Sequence, residues 1–165
     1  MELELSVSEA SAPVSVEKIG SFIVSLQKEN GEIPWSAGGK TDPWDHVESA
    51  MGLSAAGFYK EAERAYEWLA STQLEDGSWW SEIQDGKIIN SCKESNFAAY
   101  VAVGVFHHYL VTRDEKFLKK MWHTIAQGIQ FAINLQAPDG EIYWARNKHG
   151  AADKMALLTG SSSIY

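Results

Sequence analysis

Arg64-Ala65-Tyr66-Glu67-Trp68-Leu69-Ala70-Ser71-Thr72-Gln73-Leu74-Glu75-Asp76-Gly77-Ser78-Trp79 is the stretch that decides the fold. It reads as the end of an amphipathic helix running into a tight glycine turn and an aromatic anchor. Weaker copies lie on both sides. Upstream stand Lys18, Phe22, Ile23, Gln27, Asn30, Gly31 and Trp35; downstream stand Gly128, Phe131, Gln136, Asp139, Gly140 and Trp144. The Gln-x-x-Asp/Asn-Gly core therefore occurs three times, and such a repeat marks stacked helical units that share one core.

Between the copies run helices of a second kind. Asp42-Pro43-Trp44-Asp45-His46-Val47-Glu48 opens one: Asp42 suits an N-cap, Pro43 the first helical position and Asp45 the positive end of the dipole. Its small residues (Ser49, Ala50, Gly52, Ala55) suit close packing. From Ser95 the chain is apolar through Phe106, the pattern of a helix buried on all sides, and His107-His108 is read as its end. Thr112-Arg113-Asp114-Glu115 has the spacing of a capping box for a helix running to about Gln136. Leu157 to Tyr165 begins a third buried helix, with Ser161-Ser162-Ser163 near its start. Placing Gly52 on Gly104 pairs Ala50 with Ala102 and Asp42 with Glu94, so the buried helices repeat as well.

The expected architecture is all-α: an α/α toroid, or helical-hairpin ring, over residues 16–165, behind a flexible segment at residues 1–15. Three outer helices, two complete inner helices and part of a third make about half of a six-hairpin barrel. No sheet is expected beyond a short hairpin between Trp79 and Asn90. Half a ring leaves apolar faces uncovered, so the chain is expected to be incomplete or to self-associate.

Composition narrows the function. A net charge of −8 argues against nucleic acid, which needs a basic footprint. No apolar run reaches the roughly 20 residues of a membrane span. The N-terminus lacks the basic and apolar regions of a signal peptide, and the single cysteine, Cys92, suits a reducing compartment. The expected location is the cytoplasm. Seven Trp, six Tyr and six Phe exceed what a minimal core needs and suggest an aromatic-lined cavity for a small-molecule substrate.

The stretch from Arg64 to Trp79 matches, at every defined position, the QW motif of terpenoid cyclases: basic, small, aromatic, aliphatic, Gln, Gly and Trp at the motif's intervals. The chain therefore resembles the terpenoid cyclase and protein prenyltransferase superfamily, whose fold is an α/α toroid. The other copies match in part: Ile19 replaces the small residue, Gln127 the basic one, and Trp35 and Trp144 stand two places late. The Asp-x-Asp-Asp cluster of squalene-hopene-type cyclases is absent, and Asp42-Pro43-Trp44-Asp45 stands instead. The prenyltransferase zinc ligands do not map onto this chain. Six-hairpin glycoside hydrolases use the same ring, and fold alone does not choose between them.

The candidate catalytic residues are Asp42, Asp45, His46 and Glu48 at the mouth of the first inner helix, with Glu94 paired to them by the repeat. Asp45 and Glu48, three apart, share a helical face with Ser49 and Gly52. Carboxyls facing an aromatic cavity can be desolvated into general acids, for an alkene or for a sugar. Asp42 is read first as a cap. Trp35, Trp44, Asn96 and Tyr100 are the candidate substrate-binding residues. Asp45, His46 and Cys92 lack the spacing of a metal site, so no metal is assigned, and the sequence identifies no cofactor. Three functions are weighed: an isoprenoid enzyme, favoured by the resemblance; a carbohydrate-active enzyme with Asp45 and Glu94 as acid and base; and a non-catalytic toroid remnant.

Overall fold

The computed structural model describes residues 15–165, so the flexible segment expected at 1–15 lies, apart from Ser15, outside the described residues. Helices α1 (Val16–Leu26), α3 (Tyr59–Thr72) and α5 (Glu115–Ile133) form an outer layer. They alternate with inner helices α2 (Pro43–Ala55), α4 (Ser95–Thr112) and α6 (Leu158–Ile164). Each complete inner helix packs mainly on the outer helix that follows it and on its inner neighbour. The core is the seam between the layers, built by Val47, Ala50 and Leu53 of α2, Ala62, Ala65, Tyr66 and Leu69 of α3, Val101 and Val105 of α4, and Met121 of α5. Where α2 and α4 meet, a Cβ on Gly104 would stand 2.5 Å from Val47, so only glycine admits this crossing.

The repeated turns stitch the outer layer. The Gln27 side-chain amide donates to the Gly31 carbonyl (3.1 Å) and, across the layer, to the Glu61 carbonyl of α3 (2.9 Å). Gln73 repeats this with Gly77 and with Thr124 of α5, both at 3.0 Å. The glycines hold left-handed φ values of +96° and +85°. A Cβ on Gly31 would stand 2.2 Å from the Arg64 carbonyl, and one on Gly77 2.3 Å from the Gln127 carbonyl. Glycine is required twice over, for the turn and for the close approach.

In the outer copies the buried anchor is not tryptophan. Trp79 is buried and its indole donates to the Leu69 carbonyl at 2.9 Å. Ile33 and Ile142, two residues after their glycines like Trp79, are buried in its place. Trp35 is thereby free to sit exposed on the rim.

Three boundaries differ from expectation. α4 continues through His107-His108 to Thr112, and Arg113 caps it with a φ of +59°. Asp114 rather than Thr112 caps α5, accepting from the Lys116 and Phe117 amides, and α5 stops at Ile133. The expected hairpin is present as β1 (Glu82–Gln84) and β2 (Lys87–Asn90), and a second small sheet joins it. Strands β3 (Lys93–Glu94), β4 (Ala145–Arg146) and β5 (Ala152–Asp153) pair antiparallel in that order. With two residues each, they carry no periodicity to betray them. They fix the loops at the mouths of α4 and α6. No helix among the described residues is long and apolar enough to cross a membrane.

Candidate active site

The mouth of α2 is built by its cap. The Asp42 carboxylate accepts the Asp45 amide at 2.9 Å through one oxygen and the Trp35 indole N–H through the other. This seats Trp35 beside the helix start and turns Asp45 toward the rim. Asp42, Asp45, Glu94, Trp35 and Trp44 then line one cavity of about 140 Å³, with Ser81, Glu82 and Phe97 completing it. A larger groove of about 540 Å³ adjoins it, running between α1 and α2 past Asp45, Glu48, Ser49 and Gly52. Asp45 and Trp35 border both.

The electrostatics single out Asp45. Its carboxyl is pushed up to about 6, first by burial, then by the Asp42 charge and by a hydrogen bond shared with Asp42, with Glu48 adding to the rise. Lys40 opposes the shift, and it is itself paired with Glu82. Glu94, half-buried at the mouth of α4, is also raised by burial, against a 3.0 Å hydrogen bond from the Ser81 hydroxyl. The repeat that pairs Asp42 with Glu94 thus brings a further raised carboxyl into the Asp45 cavity.

Glu48 is exposed and serves an aromatic pair. It accepts the Trp44 indole N–H at 3.0 Å and the Tyr100 hydroxyl at 3.4 Å. The Trp44 and Tyr100 rings stack 3.8 Å apart, 7° from parallel. Asn96 lies elsewhere: it is buried, and its Cβ faces Gly160 of α6 rather than the cavity.

His46 does not join this rim. It points to the other side of α2, wholly buried, where Nδ1 accepts the Ile33 amide (3.1 Å) and Nε2 donates to the Ala65 carbonyl (2.9 Å). Burial lowers its pKa from the ordinary 6.5 to about 4, so the ring is held neutral. Because the folded value lies below the unfolded one, stability is lost as pH falls from about 6.5 toward 4, by about 3 kcal/mol in all. Urea unfolding across that range should show the loss, and His46→Gln, which cannot titrate, should flatten it. An unchanged slope in the variant would refute the assignment.

Helical hairpins in two layers around a carboxylate-lined mouth define an α/α toroid, of which this chain forms about half. The comparisons agree on that fold. An endo-β-1,4-glucanase from Acetobacter xylinum superposes with a TM-score of 0.60 at 11% identity, over 81% of this chain and 43% of its own. A cellobiose 2-epimerase from Bacillus thermoamylovorans superposes with a TM-score of 0.62 at 18% identity, over 84% and 39%. In sequence, the chain is 46% identical over 153 residues to an MMP endo-(1,4)-3-O-methyl-α-D-mannosidase from Mycolicibacterium hassiacum. The match covers 93% of this chain and 42% of that protein's length. No family model matches the chain.

These findings overturn the resemblance to terpenoid cyclases and protein prenyltransferases, and the isoprenoid-enzyme reading with it. The Gln-Gly turns belong to the toroid's architecture and do not mark that superfamily. The proteins this chain is similar to are a mannosidase, a glucanase and a cellobiose epimerase.

Proposed function

We propose that this chain supplies the acid-bearing half of a glycoside hydrolase acting on an α-mannosidic glycan. The carrying observation is the raised Asp45 carboxyl, in a tryptophan-walled cavity shared with Asp42 and Glu94, in a chain 46% identical to an endo-mannosidase. Glycosidic cleavage needs one carboxylic acid to protonate the leaving oxygen and one carboxylate on the other side of the sugar. Asp45 is the acid and Glu94 the partner carboxylate. Trp35 offers an exposed face for a sugar ring, and Trp44 a polar-edged one. Asp42 positions: it caps α2, holds Trp35 and raises Asp45.

The adjoining groove extends the reading to a methylated substrate. Its walls beside Asp45 include Ile23, Leu26 and Pro34, an apolar lining that suits O-methyl groups better than free hydroxyls. An acidic chain with a single cysteine suits action in the cytoplasm.

The test is a titration with a 3-O-methylated α-1,4-mannooligosaccharide, followed by product release and by tryptophan fluorescence. We expect hydrolysis that falls tenfold per pH unit above about 6, as Asp45 ionises. Replacing Lys40 with Met removes the charge that restrains Asp45 and should move this limb to higher pH. Neither cleavage nor binding of methylated or plain mannooligosaccharides would reject the proposal.

A further inference from the structure

Of the carboxylates lining the small cavity, Asp42, Asp45 and Glu94 already have a task and Glu82 has none. Glu82 sits on β1, and that strand is sewn to the loop that carries Trp35. Thr41 and Ile83 exchange both backbone hydrogen bonds, at 2.8 and 2.9 Å. The Gln84 side-chain amide donates to the Gly38 carbonyl at 2.8 Å. At the hairpin tip, Asp85 and Gly86 hold φ values of +48° and +71°, the left-handed pair that a two-residue turn requires. Asp85 there reaches Lys28 at 3.7 Å. The hairpin is therefore fixed to the segment after α1 at several points along its length.

The Thr41–Ile83 pair also decides which side chains meet. Side chains alternate across a strand, so Lys40 and Asp42 share one face of this ladder with Glu82 and Gln84. The opposite face carries Thr41, whose hydroxyl donates to the buried Glu32 carboxylate at 2.7 Å. On the first face Lys40 meets Glu82 as an ion pair, the two side chains 30% and 27% exposed. The same ammonium lies 4.1 Å from the centre of the Trp35 ring. Trp35 in turn donates its indole N–H to Asp42. One run of contacts thus leads from Glu82 through Lys40 and Trp35 to the cap that turns Asp45 into the cavity.

The charged groups facing Asp45 are Asp42 and Glu48 of its own helix turn and Lys40 of the preceding loop. Glu82 of β1 and Glu94 at the mouth of α4 line the same cavity. Lys40 is the cation in this acidic set. Left free on its four-carbon stem, its ammonium would turn toward Asp45 and favour the ionised carboxylate. An acid paired in that way has no proton to give at neutral pH.

We propose that Glu82 is a positioning residue of the candidate site. It pins the Lys40 ammonium against one face of Trp35, which keeps the lysine from Asp45 and leaves the rest of the exposed ring to a sugar. Glu82 touches no reacting atom in this role and acts through Lys40. The role presupposes Asp45 as the acid, and it is therefore tested on Asp45 itself as well as on turnover.

Carbon-13 carboxyl NMR titration reads the Asp45 midpoint, with the signal assigned by its loss in Asp45→Asn. The wild-type midpoint is expected at about 6. Glu82→Gln keeps the size and a hydrogen-bond acceptor but removes the charge that holds Lys40. It should lower the midpoint to about 5, the smaller end of what a nearby cation does to a carboxylate. Turnover of the 3-O-methylated mannooligosaccharide at pH 7 should then fall about tenfold, on the descending limb of the profile. The melting temperature should not fall, because a partly exposed ion pair adds little stability. Adding Lys40→Met to Glu82→Gln should restore the midpoint to at least the wild-type value. Glu82→Ala carries the same expectations and decides if the glutamine variant does not fold. A midpoint unmoved or raised in the Glu82 variant would overturn the proposal, as would a lowered midpoint that Lys40→Met fails to restore. A midpoint that falls and is restored, in a chain that cleaves no mannooligosaccharide, would uphold the Glu82 contact and reject the glycosidase reading instead.

Discussion

Asp45→Asn should lower turnover by about 10²–10⁴-fold, the typical worth of a positioned general acid. The same change should leave the melting temperature at pH 7 unchanged or higher. Asp45 has a folded pKa of about 6 against 3.8 when unperturbed, so the folded state holds its proton more tightly than the unfolded state. Stability from this group is therefore greatest below about pH 4 and declines as pH rises to about 6. Above that the ionised carboxylate disfavours the fold, and asparagine removes the penalty. Asp42→Ala should behave oppositely, since losing the cap costs about 1 kcal/mol at neutral pH. Activity assays and thermal melts on the same variants separate the roles. An Asp45→Asn chain with wild-type turnover would end the assignment of Asp45 as acid.

Gly77→Ala should destabilise the fold by about 3 kcal/mol or more, combining left-handed strain with overpacking. Gly57→Ala is the matched control. Both glycines hold a φ of +85°, but a Cβ at Gly57 meets nothing within 4 Å, whereas one at Gly77 would stand 2.3 Å from the Gln127 carbonyl. The control should cost about 1 kcal/mol, from backbone strain alone. Urea unfolding of the pair isolates the close approach. Equal losses would mean that the turn, and not its contact with α5, fixes the glycine.

What the sequence made legible was what is local. The Gln-to-Gly interval, the Asp42-Pro43 cap and the apolar run from Ser95 are each read from a few turns of chain and became a turn, a helix start and a helix, although α4 is not buried on all sides: Val103 and Phe106 are exposed. The stripe of α2 was harder. His46 reads as a catalytic candidate, but it joins Val47, Ala50, Leu53 and Ser54 among the buried positions. A histidine and small residues make a core face when a neighbour comes close, and that neighbour is distant in sequence. The β3–β4–β5 sheet was hidden for the same reason. Function was misread because the QW match lies in the outer wall, which different toroids can share, while the chemistry lies at the inner mouths. The acidic cluster was visible there; which acid is desolvated depends on Trp35, Asp42 and the loops folded over them.

The backbone part of the stitch between outer helices is written on one side only. Gln27 and Gln73 reach backbone carbonyls, of Glu61 and Thr124, and every residue type presents a carbonyl. Whatever side chains the receiving helix carries, the bond survives. Adjacent hairpins therefore need not coevolve at this seam, and a duplicated hairpin can be accepted by its neighbours at once. Such a wall leaves the side chains of the receiving helix free to vary while the geometry stays.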